Sequence, residues 1–280
     1  MKRWMIVVFC TLMAYIAATD ARDARKTTEA TMLVTGTIEV APDGSVHNYS
    51  MDRPEKLPPA VVDLIKNSVP GWKFEFTQTP DVIQRAKMSL RIVAKPVDDQ
   101  HFGLHIINAN FGDPTAKSSE HVTKKDGKLP RYPEEAIREH VNGTVFVLLR
   151  VDRQGKVQNI AVEQVNLGAY GLESEMRHFR NLFGNVAMDA IKGWTFNPPT
   201  TGKHVSDPYW DVHVPVDFNV NPLGAAVEDT YGKWQAYIPG PRELIPWSKN
   251  GQVYSPDAIP AGSISQADQS MQLKTALDGA

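Results

Sequence analysis

The sequence predicts an α+β chain of two small units, each a short antiparallel sheet packed with one or two helices, followed by an extended C-terminal tail. Three observations lead there. From Thr144 to Asp152 apolar residues alternate, with Val145, Val147, Leu149 and Val151 on one face and Phe146, Leu148 and Arg150 on the other, which is the period of a strand. From about Asn181 to Lys192 the period changes, and Val186, Ala190 and Ile191 fall on one helical stripe before Gly193 ends it. The third observation is repetition: Gly36-Thr37-Ile38 and Gly71-Trp72-Lys73-Phe74 echo Gly143-Thr144-Val145 and Gly193-Trp194-Thr195-Phe196.

Taken in order, the chain opens with Lys2-Arg3 and fifteen uncharged residues, Trp4 to Ala18, followed by small residues at Ala17, Ala18 and Ala21. Residues 1–21 have the form of a secretory signal. As a helix, Trp4 to Ala18 would reach about 22 Å, short of the roughly 30 Å hydrocarbon core, so an uncleaved short anchor is the second choice. Cys10, the only cysteine of the 280 residues, lies inside it. A chain cut there would have no disulfide, thiol nucleophile or thiolate metal site.

The first unit is expected over 31–114. The turn Pro42-Asp43-Gly44 follows its first strand, Pro59 to Ser68 is a helix through Val61, Val62 and Ile65, and Met88 to Val93 with Phe102 to Phe111 reads as a hairpin. Residues 115–128 are polar and read as a linker. The second unit is expected over 129–222. Pro133 suits the first helical position, and Glu134 and Glu135 suit the first turn, where negative charge meets the helix dipole. Ala136, Ile137 and His140 continue that helix until Asn142-Gly143 stops it. Asp152-Arg153-Gln154-Gly155 is a hairpin turn, and Lys156 to Val165 returns. The interval from glycine to tryptophan is 36 residues in the first unit (Gly36 to Trp72) and 51 in the second (Gly143 to Trp194), which places an insertion around Asn166 to Arg180.

The last strand, Trp210 to Val220, puts Trp210, Val212, Val214, Val216, Phe218 and Val220 toward the core and Asp211, His213, Pro215, Asp217 and Asn219 outward. A proline inside a strand belongs at a sheet edge, and an exposed edge can accept an extended peptide. The same residues support the opposite expectation, that Pro215, Asp211 and Asp217 prevent such pairing. Beyond Asn221, in residues 223–280, prolines interrupt any period. Tyr231 to Trp247 is too apolar for a free tail and is expected to lie extended across a domain, with Ser263 onward disordered.

Tyr132-Pro133, Gly143-Thr144-Val145, Val151-Asp152-x-x-Gly155-x-Val157 and Ala190-x-x-Gly193-Trp194-x-Phe196-x-Pro198 together resemble the C-terminal domain of TonB, the inner-membrane protein that transmits energy to outer-membrane transporters in Gram-negative bacteria. The resemblance covers Leu129 to about Val220, and 31–114 resembles a degenerate second copy without the Tyr-Pro lead-in. It implies a periplasmic protein that binds a short segment of an outer-membrane TonB-dependent transporter by strand addition. The partner-binding residues it points to are Arg131, Tyr132 and Pro133, with Val212, His213, Val214, Pro215, Val216, Asp217 and Phe218. In the family a Gln-Tyr-Pro segment touches the transporter, and here Arg131 stands in place of the Gln. An inner-membrane proton-driven motor is implied as a partner only if the N-terminal segment is retained. Against force transmission stand the absence of a long Pro-Glu/Pro-Lys spacer, an N-terminal stretch without His or Ser, and the additional unit and tail. The alternative is a structural envelope protein that keeps the fold without energy transduction.

Catalysis is not expected. No Gly-x-Ser-x-Gly elbow, phosphate-cradling Gly-Lys-Ser/Thr loop or His-Glu-x-x-His motif occurs. His101 and His105 fall on a strand, where residues four apart lie about 13 Å from each other, so no metal site is expected. Trp72 and Trp194 are expected as core aromatics and Glu173, Glu175 and Asp189 as a solvated helix face. The net charge of −2, with 22% charged residues and no basic run, argues against nucleic acid. No cofactor is expected.

Overall fold

The computed structural model describes residues 29–98, 101–112, 118–219, 229–248, 256–267 and 270–277, so the N-terminal segment and Val220 lie outside it. The architecture is α+β, with antiparallel sheets and three α-helices among the described residues. In the first unit β1 (Glu29–Val40) turns into β2 (Val46–Met51), followed by α1 (Pro59–Ser68), β3 (Phe74–Phe76), β4 (Gln84–Pro96) and β5 (Phe102–Gly112). β4 lies between β1 and β5. The helix forms where predicted, with Pro59 in its first turn, and buries Val61 and Ile65. They join Val34, Ile38, Met88, Leu90, Ile92, Trp72 and Phe74 in one apolar cluster. Fully burying a side chain of this size contributes about 1.5–3 kcal/mol, so the helix is held by this face.

The second unit begins earlier than the sequence suggests. Within the supposed linker, β6 (Thr123–Asp126) pairs with β9 (Thr195–Asn197), and Val122 is buried. Then come α2 (Glu134–Arg138), β7 (Gly143–Asp152), β8 (Val157–Leu167), α3 (Glu173–Ile191), β9 and β10 (Tyr209–Phe218). β7 is central, between β8 and β10. The helix α2 is shorter than expected. His140, expected inside it, takes a left-handed φ of 55° and ends it, with the Val141 amide donating to Ala136. The helix α3 starts eight residues before the expected Asn181. Its opening turn is polar, and its burial signal there rests only on Met176 and Phe179. The Glu175 side chain accepts the Leu172 amide at 2.9 Å, which fixes that start. The insertion is therefore absorbed by a longer return strand and a longer helix.

The two units share one corner. Gly155 (φ 74°) turns β7 into β8 and its carbonyl accepts the Phe196 amide at 2.8 Å; Gly44 (φ 80°) turns β1 into β2 and its carbonyl accepts the Phe74 amide at 2.8 Å. A Cβ on either glycine would strike the carbonyl oxygen of that same phenylalanine. Trp72 and Trp194, each buried, close the helix-to-strand junction in both units, as expected. Glycine is thus required twice for one reason: a left-handed turn pressed against backbone.

The tail meets one expectation and corrects another. Tyr231 to Trp247 does run extended, and it joins the two sheets. In it, β11 (Gln235–Tyr237) pairs with Glu29–Thr31 of β1, and Ile238 exchanges two backbone hydrogen bonds with Leu167 of β8. Ser263 onward, expected disordered, instead forms β12 (Ser265–Gln266) on β10 and β13 (Met271–Leu273) on β3. In β12 small polar residues complete a ladder on an existing strand, and β13 adds Met271 and Leu273 to the first core; pairings this short leave no period in a sequence.

Candidate functional site

The candidate site is the outer side of β10 together with the lead-in to α2. Val212, Val214, Val216 and Phe218 all pack into the second core, as the alternation predicts. Antiparallel ladders alternate, and the Ala267 amide donates to the Asp211 carbonyl at 2.9 Å. The backbone groups of Asp211, His213, Pro215 and Asp217 therefore point to the outer side, while β7 uses those between. Pro215 sits where its missing N–H costs no bond to β7, which is why the central pairing of β7 with β10 runs unbroken from Tyr209 to Phe218.

The face opposite the core differs from expectation. His213 and Pro215 are buried, not solvent-facing. The His213 ring nitrogen Nδ1 lies 2.7 Å from Glu163 Oε2, itself buried. Arg150 bridges Asp211 through two bonds of 2.8 Å and donates to the Trp247 carbonyl at 2.7 Å. The turn Pro256–Ala258 packs against β4, β5 and β10. There Asp257 Oδ1 accepts from Asn108 at 2.6 Å, and Asp257 Oδ2 accepts from the Tyr237 hydroxyl at 2.5 Å. Burial, then the neighbouring Asp257 charge, pushes the Tyr237 hydroxyl far above the ordinary tyrosine range. The outer face of the second sheet is thus an interlayer filled by the tail. One signal in the sequence pointed to it: Phe146 and Leu148 make β7 apolar on both faces, and both are buried.

The expected free border is also partly occupied. β12 pairs Gln266 with Val212 and Ser265 with His213, so strand order in this sheet is β12-β10-β7-β8. From Val214 to Phe218 no strand pairs on the outer side among the described residues. Asp217 is exposed and its carboxylate accepts from Thr144 at 2.6 Å.

That open half of β10 ends beside Tyr132. The Tyr132 ring stacks on Phe183 at 6.0 Å and lies 5.9 Å from the Phe218 ring. Its hydroxyl donates to the Val141 carbonyl at 2.6 Å, with Asn142 Oδ1 at 3.1 Å, and burial raises its pKa. Pro133 caps α2, and Arg131 is exposed. The structure therefore places Tyr132 against Phe218 at the end of the open stretch, whereas Val212 and His213 pair with the tail. Tyr132 is first a packing residue, since it ties the lead-in to the helix and to the last strand.

A family model described as Gram-negative bacterial TonB protein C-terminal matches residues 128–166, the stretch that holds Tyr132-Pro133, α2, β7, the Gly155 turn and most of β8. Over these residues the second unit is similar to a TonB C-terminal domain. Protein TonB from Xanthomonas campestris pv. campestris, strains B100 and ATCC 33913, is 32% identical over 105 residues, which is 37% of this chain. The chain spans 40% of the length of these curated relatives. No helix among the described residues is long and apolar enough to cross a membrane.

Proposed function

We propose that this protein is a periplasmic TonB-family contact protein, whose second unit takes up an extended segment of an outer-membrane TonB-dependent transporter by strand addition along β10. The observation that carries this is the open stretch Val214–Phe218, which has no outer strand among the described residues and ends at Phe218, whose ring lies 5.9 Å from that of Tyr132. Main-chain bonding there would supply affinity, with exposed Arg131 and Asp217 biasing the choice of segment. The first unit fits a divergent copy kept as scaffold, because it shares the Gly44/Gly155 corner but continues as a strand, Glu29–Thr35, where the second has its Tyr-Pro lead-in.

Fluorescence polarisation with synthetic peptides from the periplasm-facing N-terminal segments of the organism's outer-membrane transporters tests this. Asp217→Pro removes an outward N–H and the carboxylate's bond from Thr144 while leaving the backbone ladder with β7 in place, and it is expected to reduce binding at least tenfold, with Asp217→Asn as the control for the lost charge. Absence of binding to every such segment would overturn the proposal. A second reading, a structural envelope protein, draws on the tail's occupation of both outer strands of this sheet, through Ile238 on β8 and Ser265–Gln266 on β10. Unchanged transporter-dependent uptake in a deletion strain favours it.

A further inference from the structure

The segment covering β10 has the geometry of a bound strand more than that of a structural one. It is launched by the turn at Pro260–Ser263, where the Ser263 amide donates to Pro260 at 3.1 Å. Gly262 within that turn has φ 74° and open space around it. The segment runs antiparallel to β10 for two residue pairs. Beyond it, β13 is anchored on the first unit by pairing with β3. Its other side borders an open cleft of ≈ 830 Å³ between the units, lined also by Lys87, Lys124 and Lys203. No third strand holds it in place there among the described residues.

Its side chains are seated one by one. Ile264 packs against the second core, and Ser265 lies 3.4 Å from Asn110 Oδ1. Gln266 Oε1 lies 2.6 Å from His121 Nδ1, and Ala267 is buried beside Asp211. We infer that Ile264–Ala267 is an intramolecular stand-in for the partner strand. The partner of β10 is then an extended, antiparallel peptide with an apolar residue, a small residue, an amide-bearing residue and a second small residue in succession. Such a peptide reaches Val212 and His213 only by displacing the tail, which is tethered at both ends and so returns when the partner leaves. This rests on β10 as the docking strand, and the test separates the two ideas.

By the ladder alternation, the N–H groups of Ser265 and Ala267 face β10 whereas that of Gln266 faces away. In the full chain, Ser265→Pro with Ala267→Pro removes both donors and opens the edge. A labelled synthetic octapeptide with the sequence of residues 262–269 is the probe. It is expected to bind the opened variant at least tenfold more tightly than the wild-type chain, because the tethered copy competes at high effective concentration. The same peptide with Asp at the Ile264 position is expected to lose that binding. Should the double proline variant fail to fold, Ile264→Ser with Gln266→Ala weakens the seat through side chains alone and should show the same order. Equal binding to opened and wild-type chains, or binding to neither, overturns the inference. If transporter segments bind both forms equally while the octapeptide binds neither, docking at β10 stands and the stand-in falls. If the octapeptide binds only the opened form and no transporter segment binds either, the stand-in stands and the transporter reading falls.

Discussion

The two sheets treat the same edge differently. In the first unit the strand that follows the helix corner, β4, is covered on its outer side by β5 through ten residue pairs. In the second unit the corresponding strand, β10, is covered on its outer side by two residue pairs of the tail. A β5-type cover is continuous with the chain and is part of the fold. A two-residue cover leaves Val214–Phe218 of β10 without an outer strand among the described residues. An identical corner can therefore be followed by a fully paired strand in one place and by a partly open edge in the other, and the deciding residues lie outside the corner, at 102–112 and at 265–267.

The largest expected effect asks whether the second unit stands apart energetically. Phe183 is fully buried and stacks on both Tyr132 and Phe218. Phe183→Ala should cost about 3–5 kcal/mol by urea denaturation. Amide exchange should quicken in β7, β8 and β10 while β1, β4 and β5 keep their protection. Equal loss in both sheets would mean that the tail welds them into one cooperative body, and the contrast between the two edges would be blunted.

Next in size is a matched pair. Gly44→Ala and Gly155→Ala each force a left-handed residue against a phenylalanine carbonyl. Each should lower stability by about 1–3 kcal/mol, read as a shift in denaturation midpoint. Similar values sharpen the case that the units share one corner, and a large effect at only one of them breaks it.

The interlayer gives a pH-dependent effect. The Tyr237 hydroxyl titrates far higher folded than unfolded, because it is buried and faces the Asp257 carboxylate. The folded state thus holds this proton more tightly. Its contribution is fully present below the unfolded value of about 10 and is lost as pH rises above it. Thermal melts from pH 8 to 11 should show stability falling above about pH 10, and Tyr237→Phe should flatten that fall.

Much of this architecture was legible in the sequence. Period-two runs marked β7 and β10, Gly-Trp marked the corners, and Pro59 marked a helix start. What stayed illegible has a common physical cause. The strands β12 and β13 are too short to carry a period, and their partners lie over 50 residues upstream. Asp257 and Glu163 are buried because a second layer arrives, which no local pattern encodes, although Phe146 and Leu148 on the supposedly outer face of β7 hinted at it. For the candidate site, Tyr132 and the core side of β10 were readable, whereas the identity of what covers the other side was not.

The smallest effect separates packing from contact at the lead-in, where the first unit has no equivalent. Tyr132→Phe keeps the stack on Phe183 and removes the hydroxyl bonds to Val141 and Asn142. The loss should be about 1 kcal/mol, measured by denaturation, because one donor is deleted and the Val141 carbonyl loses it. Binding of transporter segments should then weaken no more than this stability change spreads to the edge. A much larger loss of binding at unchanged stability would place the hydroxyl itself against the partner. A stability loss of several kcal/mol would instead make the lead-in a structural brace that the second unit needs because it lacks the strand extension, Glu29–Thr35, of the first.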